Sequence, residues 1–174
     1  VTNRRRDEGG FFASCETRRL DLLHEAVELG ARLVDVEART GEKAVGRLAD
    51  AIRSRGGRTR LIVSHHDLAG TPSAKALTAR LKACRALGAD VVKIVTLATR
   101  AEDNLRVLAL LPQAREMGQD LVAFCMGEQG RLSRVAAPLL GSRWSYASLE
   151  KGAASAPGQF TAAEMRTILG MLHS

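Results

Sequence analysis

Aromatic residues are scarce in this sequence: 3% of the chain, with one Trp, one Tyr and four Phe. A nucleic-acid-binding surface needs aromatic platforms interleaved with a basic stripe, and that supply is missing. The net charge of +7 would suit a polyanion. Outside Arg4-Arg5-Arg6, however, the basic residues are scattered over several expected helices with acids between them. The surface reads as solvated and basic, with no nucleic-acid partner, and it is compatible with a small anionic substrate. Cysteine is also sparse. Cys15, Cys84 and Cys125 lie far apart and form neither a C-x-x-C pair nor a cluster with histidine. They argue for a reducing, cytoplasmic setting and against a disulfide framework or a zinc site. No apolar run approaches the roughly 20 residues of a membrane span. No charged segment with a following apolar stretch opens the chain, so a soluble protein with no membrane partner is expected. Neither G-x-G-x-x-G nor G-x-x-x-x-G-K-[ST] occurs, which removes the usual phosphate loop of an open doubly wound sheet.

What the sequence does contain is a regular alternation of strand and helix patterns. A chain of 174 residues with 45% hydrophobic content suits a single domain over 1–174. Val1 to Asn3 reads as the tail of a strand, followed by a charged loop closed by Gly9-Gly10. Leu20, Leu23 and Val27 recur at helical spacing, and Ala31 to Glu37 is a strand with Asp35 and Glu37 on one face. Val45, Leu48 and Ile52 mark a helix, and Thr59 to Ser64 a strand with His65, His66 and Asp67 at its end. Thr71-Pro72 predicts a helix start, with the threonine as N-cap and the proline at the first helical position. After the strand around Lys93, Asp103 to Met117 is helical, kinked or shortened by Pro112. Asp120 to Met126 is a strand, Arg143 to Ala147 a last strand, and Thr161 with Glu164 a capping box for a final helix with Met165, Ile168, Leu169 and Leu172 inward. This amounts to about six βα units of about 30 residues each, which lay down a parallel α/β sheet.

The stretch Gly88-Ala89-Asp90-Val91-Val92-Lys93-Ile94-Val95-Thr96 places a lysine inside an apolar strand. Burial disfavours an ammonium and leaves an amine able to attack a carbonyl, which makes Lys93 a nucleophile candidate. The plain reading is a lysine at a strand end that snorkels into water. In a parallel α/β fold chemistry gathers at the C-terminal ends of the strands. Those ends carry Arg4 and Glu8, Asp35 and Glu37, His66 and Asp67, then Lys93, then Met126 with Arg134, then the loop Ser155 to Gln159. Each has an ordinary alternative: a loop ion pair for Arg4 and Glu8, a loop cap for Asp35, a surface position for one histidine. Arg134 alone would be a solvated cation, and Ser155-Ala156-Pro157-Gly158 alone a turn.

In order and spacing, this set resembles the type I 3-dehydroquinate dehydratases, Schiff-base-forming (β/α)₈ enzymes of the shikimate pathway. The motifs run from Arg4-x-x-x-Glu8-Gly9-Gly10 through Asp35-Val36-Glu37, Ser64-His65-His66-Asp67 with Thr71-Pro72, and Gly88 to Ile94. They continue with Met126-Gly127, Ser133-Arg134, Gly141-Ser142 and Ala156-Pro157-Gly158-Gln159. The resemblance implies dehydration of 3-dehydroquinate to 3-dehydroshikimate without metal or organic cofactor. It implies an imine on Lys93, His66 as general acid and base, and Glu8 as the carboxylate that orients His66. Arg134 would hold the substrate carboxylate, Arg4, Ser155 and Gln159 would bind substrate, and Asp35 would lie near its hydroxyls. Met126 and Tyr146 would be pocket wall, while their residue types alone suggest core packing.

The family's first strand carries a Glu-x-Arg pair, and the two βα units expected before Val1 are absent. Glu37-Ala38-Arg39 has the same spelling on a later strand, so the role does not transfer to it. The expected architecture is thus an N-terminally incomplete (β/α)₈ barrel, from a fragment or from a module of a larger enzyme. Its open sheet edges point to association and admit a homodimer. Other functions compatible with the residues are a different class I aldolase-like lyase, or a silent fragment that binds small anions.

Overall fold

The computed structural model describes residues 1–172. The chain divides into two compact units: Val1–His66 with Ala79–Lys93, and Asp67–Thr78 with the chain from Ile94 onward. A parallel sheet has strands in the order β1-β2-β3-β4: β1 Leu33–Glu37, β2 Arg60–Asp67, β3 Val91–Leu97 and β4 Asp120–Met126.

In the first unit, β1 and β2 pair in parallel with Leu33 opposite Arg60 and Glu37 opposite Ser64. Their apolar residues Val34, Val36, Leu61, Ile62 and Val63 are all buried, as expected for strands covered on both faces. Two helices, α1 (Glu16–Glu28) and α2 (Glu42–Ser54), bury Leu23 and Val27, and Val45, Leu48 and Ile52, respectively. The expected strand at Val1 to Asn3 is reduced to one bridge between Thr2 and Asp35. β2 extends three residues past the expected Ser64, so His65 and His66 are strand residues whose side chains leave opposite faces of the sheet.

Helix α3 (Ala74–Ala86) starts later than Thr71-Pro72 predicts. Ser73 receives the first-turn amides: Leu77 N donates to Ser73 O at 3.0 Å and Ala76 N to Ser73 Oγ at 3.3 Å. Thr71 is not the N-cap. Its hydroxyl donates instead to Leu97 O at 2.9 Å.

In the second unit, the helix expected over Asp103 to Met117 is broken into α4 (Asp103–Leu108) and α5 (Leu110–Glu116). Pro112 has no N–H for the Leu108 carbonyl and crowds it, so the break falls one turn upstream of the proline. After β4 come a short 3-10 turn at Glu128–Gly130 and α6 (Arg131–Leu139). The strand expected over Arg143 to Ala147 does not form among the described residues. One amide, Arg143 N, reaches Leu121 O at 2.9 Å. One of its carbonyls is taken by a hydroxyl instead of a ladder, Ser142 Oγ donating to Trp144 O, and Ser145 Oγ donates to Arg134 O on α6. A bridge between Ser148 and Thr161 follows. Among the described residues the six expected strands are therefore four, with the other two present as isolated contacts.

The final helix, α7 (Ala162–Leu172), has its capping box. Thr161 N donates to Glu164 Oε2 at 2.8 Å and Glu164 N to Thr161 Oγ1 at 3.2 Å. Of the four residues expected inward, Met165 is buried, Ile168 and Leu169 are half-buried, and Leu172 is 57% exposed. Its main packing neighbour is α6, which covers only part of its apolar face.

Candidate active site

Lys93 sits mid-strand in β3 and is 6% exposed, so it does not snorkel. Its Nζ donates to Asp35 Oδ2 at 3.1 Å. Asp35 also receives Arg4 Nη2 at 2.8 Å on the same oxygen and Ser64 Oγ at 2.6 Å on the other. Burial acts to raise the Asp35 pKa, but the Lys93 and Arg4 charges and the hydrogen bonds from Arg4 and Ser64 outweigh it. The carboxyl is held well below the usual carboxylate range. A buried ion pair of this kind is stable only where every lone pair finds a donor, and Asp35 meets that condition.

The pairing extends away from the lysine. Arg4 Nη1 donates to Glu37 Oε1 at 2.9 Å and to Ser64 Oγ at 2.6 Å. Glu37 Oε2 receives Arg19 Nη1 at 2.8 Å. The result is an alternating series, Arg19, Glu37, Arg4, Asp35, Lys93, threaded through the first unit.

Glu8 arrives from the 3-10 turn Arg6–Glu8. The turn folds so tightly that a Cβ on Gly10 would fall 1.8 Å from Arg4 O, and only glycine permits this approach. The consequence is that Arg4 and Glu8 face the strand ends from one short segment. Glu8 Oε2 accepts His66 N–H at 2.8 Å and lies 3.0 Å from His66 Nδ1. With Nδ1 as donor, Nε2 carries the free lone pair. Burial, followed by the Arg4 and Lys93 cations, pushes the His66 pKa down to about 2, with Asp35 opposing, so the imidazole is neutral. Burial raises the Glu8 pKa, moderated by the His66 amide and nearby cations.

Arg134, in the first turn of α6, is fully buried in the second unit. Its Nη2 donates to Pro157 O at 3.1 Å and its Cζ lies 4.6 Å over the Phe124 ring, while Nε and Nη1 have no hydrogen-bond partner. Burial pushes the guanidinium down to about 10, which still leaves it a cation at neutral pH. An unmet, buried cationic fork has the donor geometry to take a carboxylate. Ser133 seats its helix: Oγ donates to Gly130 O at 2.7 Å and accepts Cys125 N–H at 2.8 Å, and Ser133 N donates to Asn104 Oδ1 at 3.1 Å. Ser155 and Gln159 bond to one another, Ser155 N to Gln159 Oε1 at 2.9 Å, with Ser155 exposed and Gln159 half-buried. Met126 is buried and the half-buried Tyr146 stacks obliquely on Phe124 at 5.8 Å.

Lys93, His66, Glu8, Arg4 and Asp35 are thus brought together in the first unit. Arg134, Ser155 and Gln159 belong to the second. Arg19 of the charge series, and Ser64, which bonds both Arg4 and Asp35, carried no site role in the sequence. Arg19 is 1% exposed, although Glu16-x-x-Arg19 looks like a solvated helix pair. Its position four residues before Leu23 put it on the apolar face, which was the available signal. Ser64 precedes His66 by two residues, hence shares its face of β2.

Fold and site together define an α/β protein of the (β/α)₈-barrel type with a buried amine set among a neutral imidazole and ion-paired carboxylates. The sequence profile described as type I 3-dehydroquinase matches residues 1–174, and the chain belongs to that family. It is 45% identical over 172 residues to the 3-dehydroquinate dehydratase of Thermococcus gammatolerans, covering 99% of this chain and 76% of that one. It is 43% identical over 161 residues to that of Syntrophobacter fumaroxidans, covering 92% of this chain and 66% of that one. The solved 3-dehydroquinate dehydratase of Geobacillus kaustophilus superimposes with a TM-score of 0.90 at 31% identity, covering 99% of this chain and 66% of that one. The Clostridium difficile type I enzyme with covalently modified comenic acid gives 0.88 at 26% identity, covering 99% and 67%. The chain spans about two thirds of the length of several of these relatives.

Proposed function

We propose that the chain is a lyase dehydrating 3-dehydroquinate to 3-dehydroshikimate through an imine on Lys93. The observation that carries this reading is the buried Lys93 Nζ, 3.1 Å from Asp35, in the same charge cluster as a neutral His66 held by Glu8. Family membership supports the substrate.

In this mechanism Lys93 gives up a proton to the imidazole and attacks the ring ketone, and His66 hands that proton on to the carbinolamine hydroxyl, which returns the imidazole to its neutral form. Water leaves as the protonated imine forms. His66 Nε2 then removes the C2 proton, and the C–H electron pair moves into the iminium to give an enamine. The enamine collapses toward C1 as His66 returns the proton to the departing hydroxyl. Hydrolysis of the conjugated iminium frees 3-dehydroshikimate and restores the amine, so the net change is loss of one water. Glu8 keeps Nδ1 as the donor and Nε2 as the base. Asp35 steadies the amine, and Arg4 steadies Asp35. Arg134 is read as the receiver of the substrate carboxylate on its unpaired N–H edge, with Ser155 and Gln159 as further substrate-binding residues. The reading carries a cytoplasmic setting and no cofactor, and it admits a homodimer, which sedimentation tests.

Borohydride added with 3-dehydroquinate tests the proposal. The expected result is one reduced-ligand mass on Lys93, located by peptide mass spectrometry and absent from Lys93→Met. A folded wild-type chain with unlabelled Lys93 and no enone absorbance from turnover overturns it.

A further inference from the structure

The loop over 151–159 is tied down at its C-terminal end by a single carbonyl. Pro157 O accepts Gly127 N–H at 3.1 Å and Arg134 Nη2 at 3.1 Å, so both of its lone pairs are committed. Gly158 comes next, with φ +76°, and a Cβ there would lie 2.3 Å from Gly127 O and 2.8 Å from Gly127 C. Backbone packs directly on backbone. Gly152, in the same loop, has a similar φ of +88° but open space where its Cβ would stand. The two glycines share a left-handed conformation and differ in what surrounds them.

The carbonyl also governs Arg134. The guanidinium plane rests on Phe124, and the group presents two donor forks, Nε with Nη2 and Nη1 with Nη2. By taking one of the Nη2 hydrogens, Pro157 O closes one fork and leaves the other for a ligand. Both Nε and Nη1 are otherwise unpartnered.

We propose that Gly158 is a positioning residue for anion recognition: its missing side chain lets the Pro157 carbonyl clamp Gly127 and Arg134 together, which presets the guanidinium fork offered to a carboxylate. The inference rests on reading Arg134 as the carboxylate receptor.

Its test compares Gly158→Ala with Gly152→Ala in the full chain, because the two variants carry the same backbone strain. One readout is the Arg134 Nε–H resonance titrated with sodium formate. The other is the 3-dehydroquinate concentration giving half-maximal borohydride adduct on Lys93, together with the plateau. Gly158→Ala is expected to weaken the formate response and to raise the half-maximal concentration about tenfold or more, the worth of one charge-assisted hydrogen bond. The adduct plateau should stay within about twofold, since an interaction lost equally from ground and transition states leaves the saturated rate alone. Gly152→Ala should match wild type in both readouts. Equal behaviour of the two variants overturns the proposal, as does a wild-type Arg134 signal that ignores formate. A wild type that forms no adduct sinks the proposed reaction alone, and the formate titration still decides the positioning role. Should Gly158→Ala fail to fold, amide exchange in the wild type decides. A Gly127 N–H protected well beyond that of Gly152 supports the clamp, and equal exchange overturns it.

Discussion

Glu8 holds His66 twice through one oxygen, its Oε2 accepting the backbone N–H at 2.8 Å and standing 3.0 Å from Nδ1. The backbone contact fixes where the carboxylate sits, and the ring contact then fixes the tautomer. An imidazole whose orientation is held in this way needs no reorganisation when it takes a proton.

Glu8→Gln keeps the size of the side chain but makes one of its two terminal atoms a donor, so the amide can favour the wrong tautomer. Turnover of 3-dehydroquinate should fall by about 10²-fold or more, within the usual worth of general acid–base catalysis. Initial rates at saturating substrate check this. A variant with wild-type rates would show that the carboxylate does not set the tautomer.

In its proposed role Arg134 trades stability for binding. Its buried guanidinium leaves Nε and Nη1 unsatisfied, a cost of about 1–3 kcal/mol for each group. Arg134→Met should therefore melt at or above the wild-type temperature while KM for 3-dehydroquinate rises about tenfold or more. Thermal melts and KM measured side by side test both halves, and a lower melting temperature would contradict the first.

The charge series predicts coupling between Arg19 and Glu37. Removing one partner of a buried pair typically costs about 3–5 kcal/mol, and Arg19 also serves Thr40 Oγ1 and Asn3 O. Arg19→Met should destabilise the fold on that scale in urea unfolding. Glu37→Gln in the same chain should recover part of the loss, giving a nonadditive double-mutant cycle. Strict additivity would remove the coupling.

Acid should destabilise the protein through His66 before the carboxylates titrate. The folded pKa of His66 is depressed to about 2 from 6.5, so below pH 6.5 the unfolded chain binds a proton that the folded chain refuses. Stability is then lost as pH falls, at a limiting slope of about 1.4 kcal/mol per pH unit. Between pH 6.5 and 4 this amounts to about 2–3 kcal/mol. Asp35, also depressed, adds a loss in the same direction below pH 3.8. Glu8, whose pKa is raised, acts oppositely, and its contribution fades as pH rises through its folded value. Urea unfolding at several pH values, repeated with His66→Gln, should show a shallower slope in the variant.

The periodic alternation and the ordered motifs of this chain determined its α/β class, its family and most of the first unit's polar cluster. Those features are local: a lysine flanked by valines and isoleucine, two acids at a strand end, a Gly-Gly that closes a turn. Tertiary structure decided what depends on partners distant in the chain. Arg143 to Ala147 has a strand-like pattern but finds one backbone bond on β4, and its Trp144 carbonyl goes to the Ser142 hydroxyl, so no ladder forms. Thr71 has the chemistry of an N-cap, yet the Leu97 carbonyl lies within reach and Ser73 takes the cap. Arg19 falls among the scattered basic residues whose pattern reads as a solvated surface, yet Glu37 meets it across 18 residues of chain. The charge on Lys93 was legible as an anomaly from its strand alone. Its pairing with Asp35, 58 residues away, was not, because register between strands is set by packing of the whole sheet.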